Sequence, residues 1–599
     1  MRVTVRRCTI ALAGLALVAL TVAALRPSPS SGLNATQREN LRPGSVAWRS
    51  PQLNDAIRRA QRATGDPDAP AAAAEFPLPD PIPESGEPLV DLKVSATEDA
   101  QASATPVLPY GRFIAGYTSK DSIDQGQPIE LHISAIRSPY DVEIYRMGWY
   151  GGARSSLIWS KTGNTSVFYA APALDANGTA AATWPVALSI PTNSSWTSGV
   201  YIAKLMAGGD TEYATWVIRN DRSTAAILYQ VATTTWQAYE AWGGASLYQP
   251  STAPAVPAVK VSYDRPYYGG DGTGLLFSGE AQTVAFLERE GYDVTYATST
   301  DTHANANLMQ GHRLFMTAFH DEYWSKEMRD HLDSWIAAGK NVAFLSANNM
   351  YWQIRFETSA AGVANRVIVC YKSTADPIMA TNPSLATLLW RSGTLNRPES
   401  LVTGNQYDDS RSDFGSKPWI VANDSNWFYS GTGLRNGDAL PGVVGIEWDL
   451  IPGAVAPAGV TELSNSPMAP SGLRQQATLK TASSGAEVFD AGSLKYALFL
   501  DNYTADPTTA AKVQQITRNL VSRLSGAPTT PPPTTLTPTT TTAAPTTTTA
   551  APTTTTAPPT TTAVVVPRTA APAAAPQVTV ARKVVEGAPG LPTPSLGRS

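Results

Sequence analysis

The sequence is poor in cysteine, with only Cys8 and Cys370 among its 599 residues. Cys8 precedes an apolar N-terminal stretch, so removal of that stretch would leave Cys370 alone and exclude an intramolecular disulfide. Net charge is low as well, because 45 Lys and Arg stand against 49 Asp and Glu, for a formal charge of -4. That balance supplies no long-range attraction to polyanions, so we expect no nucleic-acid partner.

Familiar catalytic motifs are also missing. The sequence contains no HExxH, no CxxC, no GxSxG, no Walker loop and no GxGxxG after a strand. Its histidines do not recur at the spacings of zinc ligands. Cys370 ends an apolar, strand-like run, VIVC, which gives little support to a cysteine nucleophile of the amidotransferase type. The five histidines are His132, His303, His312, His320 and His331.

The two ends of the chain differ in composition from its middle. Residues 1–24 carry three arginines and then an apolar stretch, which predicts a signal peptide. Residues 25–107 are rich in Ala, Pro, Ser and Asp, which predicts a disordered linker. Residues 526–599 begin with Thr, Pro and Ala runs that cannot bury apolar surface, which predicts a disordered stalk and tail. We therefore expect a secreted or cell-surface, envelope-associated protein, with the stalk as a means of cell-wall association.

Between these flanks the sequence changes character once. Residues 108–222 contain short alternating or β-branched stretches, such as PIELHISAI and GVYIAKLMA, separated by turn residues. This pattern predicts a β-sandwich. Residues 223–525 alternate apolar strands with amphipathic helices, which predicts an α/β domain with an amidotransferase-like parallel sheet. The predicted fold class is thus a β-sandwich followed by an α/β domain, with disordered flanks.

One strand–helix–strand unit of the predicted α/β domain carries most of the candidate chemistry. A strand over 313–318 leads to His320 and Glu322, and Ser325 is placed to cap the helix that follows. The next apolar strand, NVAFL, leads to Asn348. A right-handed crossover brings the carboxyl ends of such strands side by side, where open α/β sheets bind ligands. His320, Glu322 and Asn348 are therefore expected to converge.

The pair His320 and Glu322 has two interpretations. Residues two apart in an extended chain face the same side, so the imidazole and the carboxylate can serve one site by moving a proton or binding a metal. The structural alternative is that Asp321 and Glu322 favour the positive end of the following helix, while His320 is an ordinary loop residue. Spacing alone does not decide between these interpretations.

Longer motifs resemble one known family. In chain order they are EIYRMGWYGGARSSLIW, TTTWQAYEAWGG, FLEREGYDVTYAT, FHDEYWSKEMRDHLDSWIAAGKNVAFLSANNMYWQIRFE and VVGIEWD. Together they are similar to the large subunit of N,N-dimethylformamidase, a metal-dependent amide hydrolase, and they span nearly all of residues 108–525. The resemblance implies a β-sandwich followed by an α/β domain, and an enzyme that hydrolyses linear amides.

The resemblance also implies a metal site. The family holds a single iron through two tyrosine phenolates and one glutamate, so a mononuclear Fe3+ is implied here. The glutamate falls on Glu322 of HDEYW, one tyrosine on Tyr239 of WQAY, and the other on Tyr201 of SGVY. Ferric iron suits anionic oxygen donors, and three protein ligands leave positions for water and substrate.

Three further residues match polar residues that act in the family: His320, Asn348 of SANNMYW and Glu447 of GIEWD. The resemblance implies that His320 moves a proton and that Asn348 hydrogen-bonds the developing oxyanion. Glu447 would orient water or assist the leaving amine. These roles are hypotheses carried by the motifs.

Partners and alternative functions follow from the same comparison. The family works with a small partner subunit, and a homo-oligomer is the alternative here. Because the protein is expected to be exported, an amide or N-acyl group in its surroundings is as reasonable a small-molecule substrate as a solvent-like amide. A non-catalytic envelope or carbohydrate-binding protein with a relic α/β domain stays open, although a relic has no reason to keep Glu322, Tyr239, His320 and Asn348 together. A peptidoglycan enzyme of the amidotransferase type lacks its expected cysteine.

Overall fold

The computed structural model describes residues 33–48, 108–248, 257–408, 415–453, 457–469, 471–501 and 506–527. These residues belong to one compact unit that is mostly sheet, in several sheets, with a smaller helical part. Within these ranges no helix has both the length and the apolar character that a bilayer crossing requires. The predicted signal peptide, most of the predicted linker and the predicted stalk lie outside the described residues.

The first described segment, residues 33–48, is folded although it falls inside the predicted linker. It contains the helix α1 (Ala35–Glu39) and ends at Trp48, which is 1% exposed. The Trp48 ring stacks on Phe277 with ring centroids 4.9 Å apart. The predicted disorder of 25–107 is therefore wrong for this segment, because its stabilising contacts are with residues far along the chain, which composition does not report.

Eight strands follow and form two sheets. The three-stranded sheet has the order β1-β3-β6, and the five-stranded sheet has the order β2-β8-β7-β4-β5. Strand neighbours are antiparallel, apart from the parallel pair β2 and β8. The two sheets share one buried apolar cluster, to which the alternating side chains Ile129, Leu131 and Ile133 contribute. The strands are β1 (Ile114–Thr118), β2 (Ser122–Asp124), β3 (Ile129–Ala135), β4 (Tyr140–Met147), β5 (Ser155–Asn164), β6 (Val186–Ile190), β7 (Gly199–Ala207) and β8 (Asp210–Arg219).

The remaining strands and helices build the second half of the described chain. In order they are β9 (Ile227–Val231), α2 (Thr233–Tyr239), β10 (Lys260–Ser262), α3 (Glu280–Arg289), β11 (Val294–Thr298), α4 (Ser299–Ala304), β12 (Leu314–His320), β13 (Tyr323–Ser325), α5 (Lys326–Ala337), β14 (Asn341–Ala347), β15 (Trp352–Glu357), β16 (Val367–Val369), α6 (Ser400–Thr403), β17 (Gln406–Tyr407), β18 (Lys417–Ile420), β19 (Ala439–Val444), β20 (Asp449–Leu450), β21 (Val460–Glu462), β22 (Ser466–Met468), β23 (Leu473–Gln475), β24 (Thr478–Thr481), β25 (Glu487–Asp490) and α7 (Pro507–Ser525).

The largest sheet has seven strands in the order β11-β9-β12-β14-β25-β24-β21. Its first five strands are parallel, and β24 and β21 extend it in antiparallel fashion. All residues of β9, β11 and β12 are buried, as expected for apolar runs in a parallel sheet that is covered on both faces. A second sheet has four strands in the order β10-β16-β15-β13. It is connected to the seven-stranded sheet by the two-residue link between the end of β12 and the start of β13.

A buried ion pair joins the N-terminal sheets to the second half. Arg146 of β4 donates two hydrogen bonds to Glu288 of α3, at 2.7 and 3.0 Å, and both side chains are fully buried. Glu288 also accepts hydrogen bonds from Asn40 at 2.8 Å and from Tyr296 at 2.9 Å. These contacts place α1, β4 and α3 in one junction, here called the Glu288 junction.

Candidate active site

The candidate site lies where three neighbouring strands of the large sheet end. Strand β9 leads into α2, whose last residue is Tyr239. His320 is the last residue of β12, and Asn348 directly follows β14. Because these strands are parallel and adjacent in the sheet, their carboxyl ends form one edge. Open sheets of this kind bind ligands at that edge.

The backbone at this edge is bent at several residues other than glycine. Positive φ angles occur at Phe319 (61°), Asn348 (51°) and Ile446 (63°). Conformations of this type cost about 1–3 kcal/mol each and persist where the surrounding structure holds them. Gly279 packs so closely against the Phe319 ring that a Cβ at this position would lie 2.2 Å from it. The bend therefore requires a glycine at this position. Strain is thus concentrated beside His320 and Asn348.

Glu322 is the centre of an oxygen-rich cluster. Its Oε2 accepts a hydrogen bond from the Tyr239 hydroxyl at 2.6 Å, and its Oε1 accepts one from the Tyr248 hydroxyl at 2.7 Å. The two hydroxyl oxygens are 3.4 Å apart, and their rings are stacked with centroids at 4.7 Å. Tyr323 also donates its hydroxyl proton to the Tyr248 oxygen. Four side chains thus bring their oxygens to one point, here called the Glu322 cluster.

His320 and Asn348 adjoin this cluster. The His320 Nε2 lies 3.1 Å from the Tyr239 hydroxyl and 3.3 Å from Glu322 Oε2. It is also 3.4 Å from Glu447 Oε2, which accepts a hydrogen bond from Asn348 Nδ2 at 3.0 Å. The structure therefore brings together His320, Glu322, Asn348 and Glu447, as the sequence predicted for the first three.

Two buried polar atoms at the site make no hydrogen bond within the described part of the chain. They are His320 Nδ1 and Asn348 Oδ1. A buried polar atom without a partner costs free energy, so it usually marks a place that a water or a ligand completes. Both atoms belong to residues that contact Glu447.

Burial shifts the ionisation of the cluster toward its neutral forms. Burial raises the pKa of Tyr239 and of Tyr248 well above the usual phenol range, and the nearby Glu322 charge adds to both shifts. Burial also raises the pKa of Glu322, although the neighbouring His320 opposes this. The pKa of His320 is lowered, chiefly by burial and against the effect of Glu322. A cation bound here would reverse the preference of the phenols, since metal ligands must lose their protons.

Tyr201 lies away from these residues. It belongs to β7, is fully buried, and donates its hydroxyl to the backbone oxygen of Thr197 at 2.7 Å. Its ring stacks between Trp196 and Trp216, with centroids at 5.7 and 5.8 Å. The structure brings Tyr239 to Glu322 but does not bring Tyr201 there. The second tyrosine beside Glu322 is Tyr248.

Sequence reasoning missed Tyr323, which lies inside the HDEYW motif, and two residues outside the quoted motifs. Tyr248 follows Tyr239 by nine residues in a Gly-rich stretch, EAWGGASLY, which has no helical or strand period. The only signal for it was a second tyrosine close to the WQAY motif. Lys372 places its ammonium nitrogen 3.1 Å from the centre of the Tyr248 ring. The negative face of the ring attracts this ammonium group in a cation–π contact. Lys372 follows β16 and comes close only through the fold.

The donor set fits a hard cation better than zinc. Among the described residues, no group of three or more His, Cys, Asp or Glu side chains is arranged to hold a metal. The Glu322 cluster instead offers one carboxylate and two phenols within 3.4 Å of each other. Oxygen donors of this kind suit hard ions such as ferric iron. Burial raises the pKa of the Cys370 thiol to about 12, which disfavours the thiolate that a nucleophile requires.

These features define a sheet-rich protein with a buried, oxygen-lined candidate site at the ends of parallel strands. The chain belongs to the family described as N,N-dimethylformamidase beta subunit-like, C-terminal, whose model matches residues 141–509, more than half of the chain. The match includes every residue of the Glu322 cluster and confirms the family resemblance that the motifs indicated. A search of the curated proteins found no match.

Proposed function

We propose that this protein is an exported, metal-dependent hydrolase of amide C–N bonds, similar in chemistry to N,N-dimethylformamidase. The family match supports hydrolysis of an amide. The observation that carries the proposal is the Glu322 cluster, in which two phenols donate to one buried carboxylate beside His320, with Asn348 joined to His320 through Glu447. In this proposal the N-terminal sheets form a β-sandwich and the second half an α/β domain.

The proposed metal is a mononuclear ferric iron held by Tyr239, Tyr248 and Glu322. This set has the composition that the resemblance implied, two tyrosines and one glutamate, but Tyr248 takes the place of Tyr201, because Tyr248 is the second tyrosine that contacts Glu322. When bound, such an ion polarises an amide carbonyl and lowers the pKa of water. The three residues orient the donor oxygens, and the burial of Glu322 limits the competition of bulk water for its carboxylate.

The neighbouring residues supply proton transfer and oxyanion binding. His320 stays neutral at lower pH than an exposed histidine, because burial lowers its pKa, and its Nε2 is then available to accept a proton. Asn348 uses one Nδ2 proton on Glu447 and has a second for a developing oxyanion. Glu447 lies within reach of both His320 and Asn348, where it can assist the leaving amine.

The proposed substrate is a small linear amide or an N-acyl group. His320, Glu322 and Asn348 are all buried, while Tyr239, Tyr248 and Glu447 are partly exposed, so the cluster is not fully enclosed by the protein. The family description names a beta subunit, which supports association with another subunit, and a homo-oligomer is the alternative. Export of the protein and wall association through the Thr-rich stalk remain proposals from the sequence.

The test is the iron content of the full-length protein, purified without added metal and measured by elemental mass spectrometry. We expect near-stoichiometric iron in the wild type and none in Glu322→Gln. The matched control is Glu280→Gln, because Glu280 is also a buried glutamate that accepts from an aromatic side chain, Trp236, but it lies outside the Glu322 cluster. The control should retain iron.

Either outcome decides between two functions. Iron in the wild type and in the control, lost in Glu322→Gln, justifies a screen of amides by amine release. A folded wild type that holds no iron and takes none up when it is supplied would reject the metal-dependent hydrolase. A non-catalytic envelope or carbohydrate-binding role would then be the better account.

A further inference from the structure

We propose that Asp449 is a positioning residue that holds Asn348 in its working conformation, an inference that rests on the proposed hydrolase function. The Asn348 backbone N–H faces both carboxylate oxygens of Asp449, at 3.0 and 3.2 Å. Asp449 is 1% exposed and Asn348 is 2% exposed. The motif VVGIEWD contains both Glu447 and Asp449, but the motif implied no role for Asp449, and its role is inferred from this contact.

Asn348 needs such a partner because of its backbone. It directly follows β14 and has a φ of 51°, a left-handed conformation that asparagine tolerates but does not prefer. Its N–H is buried, and a buried N–H without an acceptor is unfavourable because it has lost its hydrogen bond to water and gained none in the fold. The Asp449 carboxylate satisfies this N–H, so it favours the one backbone conformation in which the Asn348 side chain reaches Glu447.

Asp449 is itself fixed in place. Its backbone N–H donates to Gly492 at 3.2 Å, and its backbone oxygen accepts from Gln476 at 3.0 Å. It belongs to β20, which pairs with β17. Asp449 is therefore anchored to strands of the second half and does not depend on Asn348 for its own position.

One short segment thus holds Asn348 at two points. Glu447 accepts from the side-chain Nδ2 at 3.0 Å, and Asp449, two residues later, accepts from the backbone N–H. Two contacts fix both the position and the orientation of the amide group. A donor to an oxyanion is effective only when it is held in place before the reaction, and a misplacement of about 1 Å can cost about 10²-fold in rate.

The test is a double-mutant cycle on the iron-loaded full-length protein, with N,N-dimethylformamide as the probe and dimethylamine release as the assay. We expect Asp449→Ala to lower kcat by about 10–100-fold, with KM and iron content unchanged. Asp449→Asn keeps an oxygen acceptor and should restore most of the rate. Because both residues act through one group, Asp449→Ala combined with Asn348→Ala should be no slower than Asn348→Ala alone.

The variant Asp376→Ala separates a general loss of stability from a loss of Asn348 positioning. Asp376 is also buried and accepts the Thr387 N–H at 2.9 Å, but its carboxylate otherwise accepts from the Thr387 hydroxyl, from Arg355 and from the Ile378 N–H, and none of these residues belongs to the Glu322 cluster. This control should keep the wild-type rate. A rate in Asp449→Ala equal to wild type, or additive losses in the double mutant, would overturn the positioning role.

A wild type that holds iron but releases no dimethylamine would count against N,N-dimethylformamide as the substrate and not against the contact. Crystal structures then decide. If Asn348 in Asp449→Ala keeps its positive φ and its 3.0 Å contact with Glu447, Asp449 does not position it. If the residue adopts another conformation, the positioning role stands.

Discussion

Two regions of the molecule bury a glutamate in different surroundings. At the Glu288 junction the carboxylate receives two N–H groups of Arg146, so its charge is compensated inside the fold. At the sheet edge Glu322 receives two phenols, which are neutral, and its partners Tyr239 and Tyr248 are partly exposed. The first arrangement needs nothing more and binds two halves of the chain together. The second leaves the carboxylate charge available to a bound cation.

The tyrosines repeat this contrast. Tyr201 and Tyr239 both have pKa values raised by burial, so burial does not separate a structural tyrosine from a functional one. Their hydroxyl partners do. Tyr201 donates to a backbone oxygen, whereas Tyr239 donates to a carboxylate and also contacts His320. For these two tyrosines the contacts of the hydroxyl, and not the depth of the ring, therefore show which one belongs to the Glu322 cluster.

The largest expected effect tests this distinction directly. Tyr239→Phe and Tyr248→Phe keep the rings and remove the oxygens, so each should lose bound iron and lower amide hydrolysis by more than about 10²-fold. Tyr201→Phe should retain iron and activity and lose about 1 kcal/mol of stability, because one hydrogen bond is removed. Elemental analysis and the visible charge-transfer absorption of ferric phenolate measure the difference. Loss of iron in Tyr201→Phe alone would return that residue to the site.

The second effect concerns the Glu288 junction. Glu288→Ala leaves the Arg146 guanidinium buried without its carboxylate, so we expect a loss of about 3–5 kcal/mol in the free energy of unfolding. The iron content of the folded fraction should not change. Urea unfolding measures the loss, and Glu487→Ala is the control, because its partner Arg523 is half exposed and such pairs contribute about 0–1 kcal/mol. Equal losses in the two variants would contradict the role of the junction.

The third effect concerns residues 33–48. Trp48→Ala removes an indole that stacks on Phe277 and donates to the Ala153 oxygen at 3.1 Å. We expect a loss of about 3 kcal/mol. Leu41→Ala, in the same segment, is the control, since Leu41 is 54% exposed and its loss should stay within about 0.5 kcal/mol. Thermal unfolding of the two variants side by side tests the prediction, and it fails if Trp48→Ala is as stable as Leu41→Ala.

The smallest effect lies in the helix behind the candidate site. Ser325 accepts the Met328 N–H at 3.2 Å and so caps α5. Ser325→Ala should cost about 1 kcal/mol. Ser334→Ala in the exposed part of the same helix should be nearly neutral. A cost for Ser334→Ala that matched the cost for Ser325→Ala would show that the cap is not the source of the stability.

The strand–helix–strand unit could be predicted from the sequence because its signals are local. The expected strand over 313–318 is observed as Leu314–His320, and the expected cap Ser325 starts a helix at Lys326. Apolar runs and a capping serine act on neighbouring residues, so short-range patterns suffice. The convergence of His320 with Asn348 followed from the geometry of parallel strands.

The rest of the site depends on contacts across the chain. Tyr248 lies in a stretch without periodicity and reaches Glu322 from 74 positions away. Lys372 follows a short strand whose place only the whole fold determines, and Asp449 begins another such strand, although it lies in the VVGIEWD motif. Trp48 lies in a segment whose composition is typical of linkers, so the sequence did not indicate that it is buried. Pattern reasoning misses such residues because nothing in their own neighbourhood reports the partner.

The folded N-terminal segment has a consequence for biosynthesis. Asn34 and Thr36 hydrogen-bond to the backbone oxygens of Gly291 and Val294, more than 250 positions later. During synthesis the segment emerges first, yet its docking surface does not exist until the ribosome has passed those residues. Trp48 therefore stays exposed to solvent until then, and an exposed indole favours aggregation or chaperone binding. The segment that is synthesised first is thus among the last to dock onto the folded protein.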